Sequence, residues 1–186
     1  MYRVAEVIGE RYTTPTQTLG AEDLVTGFGK FVGLSPQQID DLLFAARLHD
    51  LGMIQVPDAV VLKPAGLTPE ELTLVKQHVT VGAAIFEPLR HRQAVAEIMR
   101  HHHERWDGNG YPHKLKGLDI PVTGRITGLV DAYDAMTSFR PYPPYQRTHE
   151  EAIAEIRRCA GCHFDPYLSE IFCNEITLEE IETTIL

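Results

Sequence analysis

The chain has 186 residues, 44% hydrophobic and 23% charged, a balance that suits one globular domain with a sizeable core and excludes a disordered tail. Lys and Arg number 17 against 26 Asp and Glu, a formal net charge of -9, which argues against polymeric nucleic acid or a membrane surface as partner. An anionic substrate would then need a local cationic pocket or metal ions, and the 9 histidines point to the second.

The opening MYRVAEVIGERY has early charges and no apolar stretch of a signal peptide, and no apolar run approaches the ~20 residues of a membrane span. A cytoplasmic protein is expected. Residues 1–12 read as a further helix within an N-terminal arm (1–18), followed by a helix over 20–33. SPQQ, Ser35 to Gln38, is a capping box that opens a helix over 36–50. Behind it Ile39, Leu42, Leu43, Ala46 and His49 recur at helical spacing. A long connection over 51–67 follows. TPEE, Thr68 to Glu71, opens a helix over 69–87 with Leu72, Val75, Val79, Ala83 and Phe86 on one stripe. The next helix, 91–103, ends in His101, His102 and His103. A second long connection, 104–121, leads to a helix over 122–138 striped by Ile126, Leu129, Val130, Tyr133 and Met136. Long connections inside a helical domain are often functional. Pro141, Pro143 and Pro144 bend the chain without dividing it. THEE at Thr148, DPYL at Asp165 and TLEE at Thr177 open helices over 149–160, 166–174 and 178–185, the last with Glu179, Glu180 and Glu182 on a solvated face. No period-two alternation appears, so the expectation is an all-α fold, one compact domain over 1–186. Cys159, Cys162 and Cys173 cannot form a fully paired disulfide set and read as thiols.

Chemistry concentrates at helix ends. His49-Asp50 closes one helix, His78 lies in the next, His101 to His103 close another, and Asp131 and Asp134 sit in the one after. Imidazoles mixed with carboxylates suit Mn, Fe, Ni or Zn better than Ca. Side chains projecting inward from neighbouring helices are a common way to build a two-metal site. Adjacent residues on a helix point about 100° apart, so His49 can address one ion while Asp50 bridges two. Ions roughly 3.5–4 Å apart can clamp a phosphoryl oxygen. His91, His113, His149 and His163 read as packed or exposed side chains, and His101 as a neighbour of the cluster.

HDLG at His49, VPDAVVLKPAGLTPEE, KQHVTVG, HHERWDGNGYP, VDAYDAMTSFRPY and GCHFDP follow one another in this order. From about Leu34 onward the chain resembles the HD-GYP family, an all-helical branch of the HD metal-dependent phosphohydrolases. The resemblance implies a dinuclear metal site of two divalent transition-metal ions, with Fe, Mn or Ni expected and Zn as the alternative. It implies ligation by His49, Asp50, His78, His102, His103 and Asp131, with Asp50 bridging and Asp50 and His103 taken as catalytic. Gly110, Tyr111 and Pro112 would flank the substrate, Arg140 would contact its phosphate, and Lys116 or Arg147 would assist. Asp107 would hold the loop, and its glycines would let backbone approach a dinucleotide. The expected reaction is hydrolysis of cyclic di-GMP to linear pGpG, with onward cleavage to GMP as a further step. The alternative is a catalytically degenerate module that binds metal, cyclic di-GMP or a protein such as a diguanylate cyclase or a sensory or receiver partner.

The chain departs from that family at three places. Met53 stands where relatives carry Lys. No His precedes His49, and Thr13 and Gln17 occupy the corresponding region. Pro143-Pro144 follow FRPY, where relatives often show another cation. CAGCH, Cys159 to His163, matches a c-type haem attachment pattern, but it falls on the Gly-x-x-Phe-Asp-Pro turn, and no export signal accompanies it. HERWD lacks the second His of a zincin motif, and Pro112 stands where a calcium loop needs Gly.

Overall fold

The computed structural model describes residues 16–63, 65–138 and 146–175. Thr13, Arg140, the prolines at 141, 143 and 144, the Thr177 start and its acidic face lie outside the described residues, as does the side chain of Gln17. The fold is all-α. Among the described residues no strand forms, and one isolated bridge joins Ala160 to Phe164. The helices are α1 (Thr16–Phe31), α2 (Pro36–Ala46), α3 (Asp58–Val61), α4 (Pro69–Lys76), α5 (His78–Phe86), α6 (Gln93–His101), α7 (Val122–Thr137), α8 (His149–Cys159) and α9 (Pro166–Glu175). Short 3-10 turns cover Leu51–Gln55 and Gly117–Asp119. No helix among the described residues is long and apolar enough to cross a membrane.

Helix starts follow local chemistry. Ser35 with Gln38, Thr68 with Glu71, and Thr148 with Glu151 each form a reciprocal capping box, satisfying backbone N–H groups that have no partner in the first turn. Asp165 caps α9 by accepting from the Tyr167 and Leu168 amides, while its other oxygen accepts from Arg125 on α7. That contact ties the last two described helices to the middle of the fold.

Helix ends differ from the sequence expectation in a consistent way. The helix expected over 36–50 stops at Ala46, and the chain turns through Asp50 into the 3-10 segment. The single helix expected over 69–87 divides at Gln77, and that expected over 91–103 ends at His101. At each site a histidine donates from Nδ1 to the carbonyl three residues back. The pairs are His49 to Ala46 (2.7 Å), His78 to Val75 (2.8 Å) and His102 to Met99 (2.8 Å). The imidazole N–H thus satisfies a carbonyl at a helix end or interruption.

The core gathers Phe28 of α1, Leu42 and Ala45 of α2, Ala83 and Phe86 of α5, Ile98 and Met99 of α6, and Leu129 and Val130 of α7. Val95, Ile98 and Met99 share a buried stripe, and His102 continues it at the next helical step. Hydrophobic burial therefore aims His102 inward. Helix α7 crosses this region so closely that a Cβ at Gly128 would lie 2.4 Å from the His102 carbonyl oxygen. Glycine permits that approach, and Asp131, one turn further on the same face, arrives beside the histidines.

Candidate metal centre

Six side chains drawn from a span of more than 80 positions, His49 to Asp131, converge. His49 Nε2 lies 3.6 Å from Asp50 Oδ2 and 3.5 Å from Asp131 Oδ1. Asp50 turns its other oxygen toward His78 Nε2, 3.5 Å away. His78 Nε2 in turn stands 3.5 Å from His102 Nε2. Nitrogens of His78, His102 and His103 all fall within 4.8 Å of one another. Two donor groups result, one of His49, Asp50 and Asp131 and one of Asp50, His78, His102 and His103, with the Asp50 carboxylate between them.

The hydrogen bonds decide what these rings can do. A carbonyl can only accept, so Nδ1 carries the proton in His49, His78 and His102, and in the neutral rings Nε2 presents a lone pair. In His78 and His102, only 3% and 1% exposed, Nε2 faces Nε2, and a cation between the two nitrogens could take a lone pair from each. Two nitrogens each ~2.1 Å from a tetrahedral ion stand about 3.4 Å apart, which matches the observed 3.5 Å. The donor set fits a first-row divalent metal.

The charge states divide the rings. Burial disfavours protonation of His49, but the Asp50 and Asp131 carboxylates outweigh it and push its pKa up to about 10. Burial holds His102 well below the ordinary histidine value and brings His103 down to about 4. Burial would raise Asp131, yet the bond and charge of His49 keep it well below the usual carboxylate range. The side chains of His49, Asp50 and Asp131 retain 22%, 38% and 30% exposure, so the centre opens to solvent on its carboxylate side, with His78 and His102 at its floor.

The HHERWDGNGYP loop closes one wall. Tyr111 stacks on His103 at 4.9 Å between ring centroids, and its amide donates to the His103 carbonyl. Burial, then the charges of Asp50 and Asp131, raise the Tyr111 pKa, so its hydroxyl stays a donor at neutral pH. Buried Glu104 clips the loop by accepting from the His113 and Leu115 amides. Asp107 holds it from within, accepting from the Arg105 guanidinium and the Asn109 amide. Gly110 is buried against the Glu104–Arg105 backbone, so its missing side chain serves closure of the loop on itself. Pro112 follows Tyr111 through a cis peptide and is half-buried. Lys116 is exposed and packs beside Gly108. Arg147 donates to Met136 Sδ and pairs with Glu155. Asp134 accepts from Ser138, and His149 bonds the Tyr133 hydroxyl.

Sequence reasoning missed Lys76. Its Nζ lies 5.2 Å from the Tyr111 ring centroid, placing a cation beside the ring that stacks on His103. The available signal was its place two residues before His78, in the last turn of α4. Behind the centre a cavity of about 150 Å³ is lined by His102, His103, Trp106, Arg125, Asp131 and His163. Sites for drug-sized ligands run roughly 300–1,000 Å³, so this cavity is smaller than such a site.

The chain is similar to several known proteins. Residues 5–168 match the HD domain family. A cyclic di-GMP phosphodiesterase of Thermotoga maritima is 44% identical over 145 residues, 76% of this chain and 39% of that protein. One from Vibrio cholerae is 45% identical over 146 residues, 75% of this chain and 30% of that protein. A 3'3'-cGAMP-specific phosphodiesterase of Vibrio cholerae is 39% identical over 142 residues, 75% of this chain and 27% of that protein. The chain thus spans well under half the length of these relatives. Among solved structures, an HDG"Y"P protein from Bdellovibrio bacteriovorus superposes with a TM-score of 0.66 at 22% identity, covering 85% of this chain and 50% of that one.

Proposed function

Because the chain belongs to the HD domain family and carries the HD-GYP motifs in order, we propose that it is a metal-dependent phosphodiesterase that opens cyclic di-GMP to linear pGpG. The observation that carries this reading is the pair of donor groups sharing Asp50, with the Nε2 atoms of His78 and His102 facing one another. His49, Asp50 and Asp131 would hold one ion, and Asp50, His78, His102 and His103 the other. Two bound divalent ions, Fe, Mn or Ni with Zn as the alternative, would supply Lewis-acid charge at the scissile phosphate and make a nucleophile of water at neutral pH.

The chain's own groups do the rest. Asp50, common to both donor groups, and His103, in the second, would be the catalytic pair. Tyr111 and Pro112 would wall the substrate, with Gly110 closing the loop that carries them, and the Tyr111 hydroxyl would donate to it. Lys76, 5.2 Å from the Tyr111 ring centroid, would offset phosphate charge, with Arg140 and Lys116 as further cations from the flanking segments. In a chain of net charge -9 such local cations are needed to hold a dianionic ligand. With no early histidine to supply a further ligand, the reaction stops at pGpG more readily than at GMP.

The test is turnover of cyclic di-GMP, with 3'3'-cGAMP alongside, by protein loaded separately with Mn, Fe and Ni. Chromatography should show pGpG, and His103→Ala should abolish it. Cyclic di-GMP left intact with all three metals would overturn the assignment. Met53 in place of a cation supports a second reading, a module that binds without turnover and signals to a diguanylate cyclase or a sensory or receiver protein. Calorimetric binding of cyclic di-GMP by metal-replete protein, with no product, would select it.

A further inference from the structure

CAGCH lies outside the centre, and its two cysteines have no role in the chemistry above. They flank the turn that follows α8. The Cys162 amide donates to the Cys159 carbonyl at 3.1 Å, and Gly161 between them takes φ +78°. Such a four-residue turn brings its end Cα atoms within about 7 Å, close to the ~4.4–6.8 Å that a disulfide spans. Cys162 is exposed and Cys159 half-buried, whereas Cys173 is buried. Arg158 reaches Cys159 Sγ at 3.4 Å.

The turn also grips the loop over the centre. The Cys162 carbonyl accepts from the Asp107 amide (2.8 Å) and the His163 carbonyl from the Trp106 amide (3.0 Å). Four residues beyond Asp107, Tyr111 stacks on His103. We propose that Cys159 and Cys162 form a reversible dithiol–disulfide pair whose closure repositions the Trp106–Pro112 loop. The oxidant is a small-molecule disulfide of the glutathione class. The Cys162 thiolate attacks one of its sulfurs, breaking that S–S bond and releasing one thiolate. The Cys159 thiolate then attacks the Cys162 sulfur and expels the second. The protein loses two electrons, the small disulfide gains them, and the two protons pass to the released thiols. Cys162 attacks first because it is the exposed thiol of the pair, whereas Cys159 is half-buried.

The pairing stands apart from the phosphodiesterase reading, and only its effect on turnover rests on it. The full chain is incubated with oxidised glutathione, alkylated under denaturing conditions and weighed, with a reduced control. Alkylated thiols should fall from 3 to 1, with the linked residues mapped to Cys159 and Cys162. The sole tryptophan, Trp106, reports the loop without reference to activity. Its emission should shift on oxidation, return with a dithiol reductant, and stay unchanged in Cys162→Ser treated alike. Three alkylated thiols after oxidation, a glutathione adduct that persists at Cys162, or a closed disulfide with unmoved Trp106 emission would each overturn the proposal.

Discussion

Gly52→Ala isolates the contact that presses the two ligand-bearing segments together. A Cβ at this position would lie 2.0 Å from the His78 carbonyl oxygen and 2.7 Å from the Gly82 amide nitrogen. Ordinary contact begins near 3.4 Å, and backbone, unlike a side-chain tip, cannot swing aside. The 3-10 segment and the start of α5 must separate by more than 1 Å. That movement acts directly on Asp50 and His78, whose facing atoms are 3.5 Å apart, while metal–ligand distances tolerate only about ±0.2 Å. Overpacking of this kind costs roughly 1–3 kcal/mol. For a chain of this size each kcal/mol moves the melting temperature by about 2–4 °C, so a fall of roughly 2–12 °C is expected. Without the clash the sign reverses, because Gly→Ala at an unstrained position stabilises by about 0.4–1 kcal/mol. Calorimetric melting with chelator present gives the stability, and elemental analysis of the loaded protein gives metal per chain. A variant that melts at or above the wild type and keeps its full metal content would refute this account of the centre.

Asp50→Ala should lose both ions and His49→Ala chiefly the one it shares with Asp131, so metal per chain should fall further in the first than in the second. Equal losses would disconnect the two donor groups. The metal-free protein should be most stable near pH 6.5. His49 has a folded pKa raised from 6.5 to about 10, so its contribution is whole below 6.5 and lost as pH rises through 10. His103 has its pKa lowered from 6.5 to about 4, so its contribution is whole above 6.5 and lost as pH falls through 4. Melting temperatures in chelator that climb steadily from pH 5 to 9 would contradict this. Glu104→Ala strands the part-buried His113 and Leu115 amides, at the low end of the roughly 1–3 kcal/mol that a buried donor left unpaired costs. Hydrogen exchange should accelerate across 105–115, and unchanged protection there would remove Glu104 as the clip of the loop.

Much of this fold is written in short windows. Ser35, Thr68 and Thr148, each with an acceptor three residues on, mark helix starts that the structure reproduces, because capping is a local exchange of hydrogen bonds. The stripe through Val95, Ile98 and Met99 extends to His102 for the same reason, since helical periodicity alone sets which face is buried. Helix ends were less legible. Continued periodicity suggested unbroken helices through His49, Gln77 and His103, whereas the structure breaks or ends them, and each imidazole takes up a carbonyl there. The glycines of the loop were legible as a tight segment, but that Gly110 serves the loop's own backbone required the fold.

The sequence by itself determined the helical class, the cap positions and the inventory of imidazoles and carboxylates, because each depends on residues within a turn or two of one another. Only the tertiary structure decided that Asp50 stands between His49 and His78, that Asp131 reaches the group over Gly128, and that Lys76 lies beside Tyr111. Those relations are set by how closely one backbone approaches another, and that distance is fixed by packing across the core rather than by spacing along the chain.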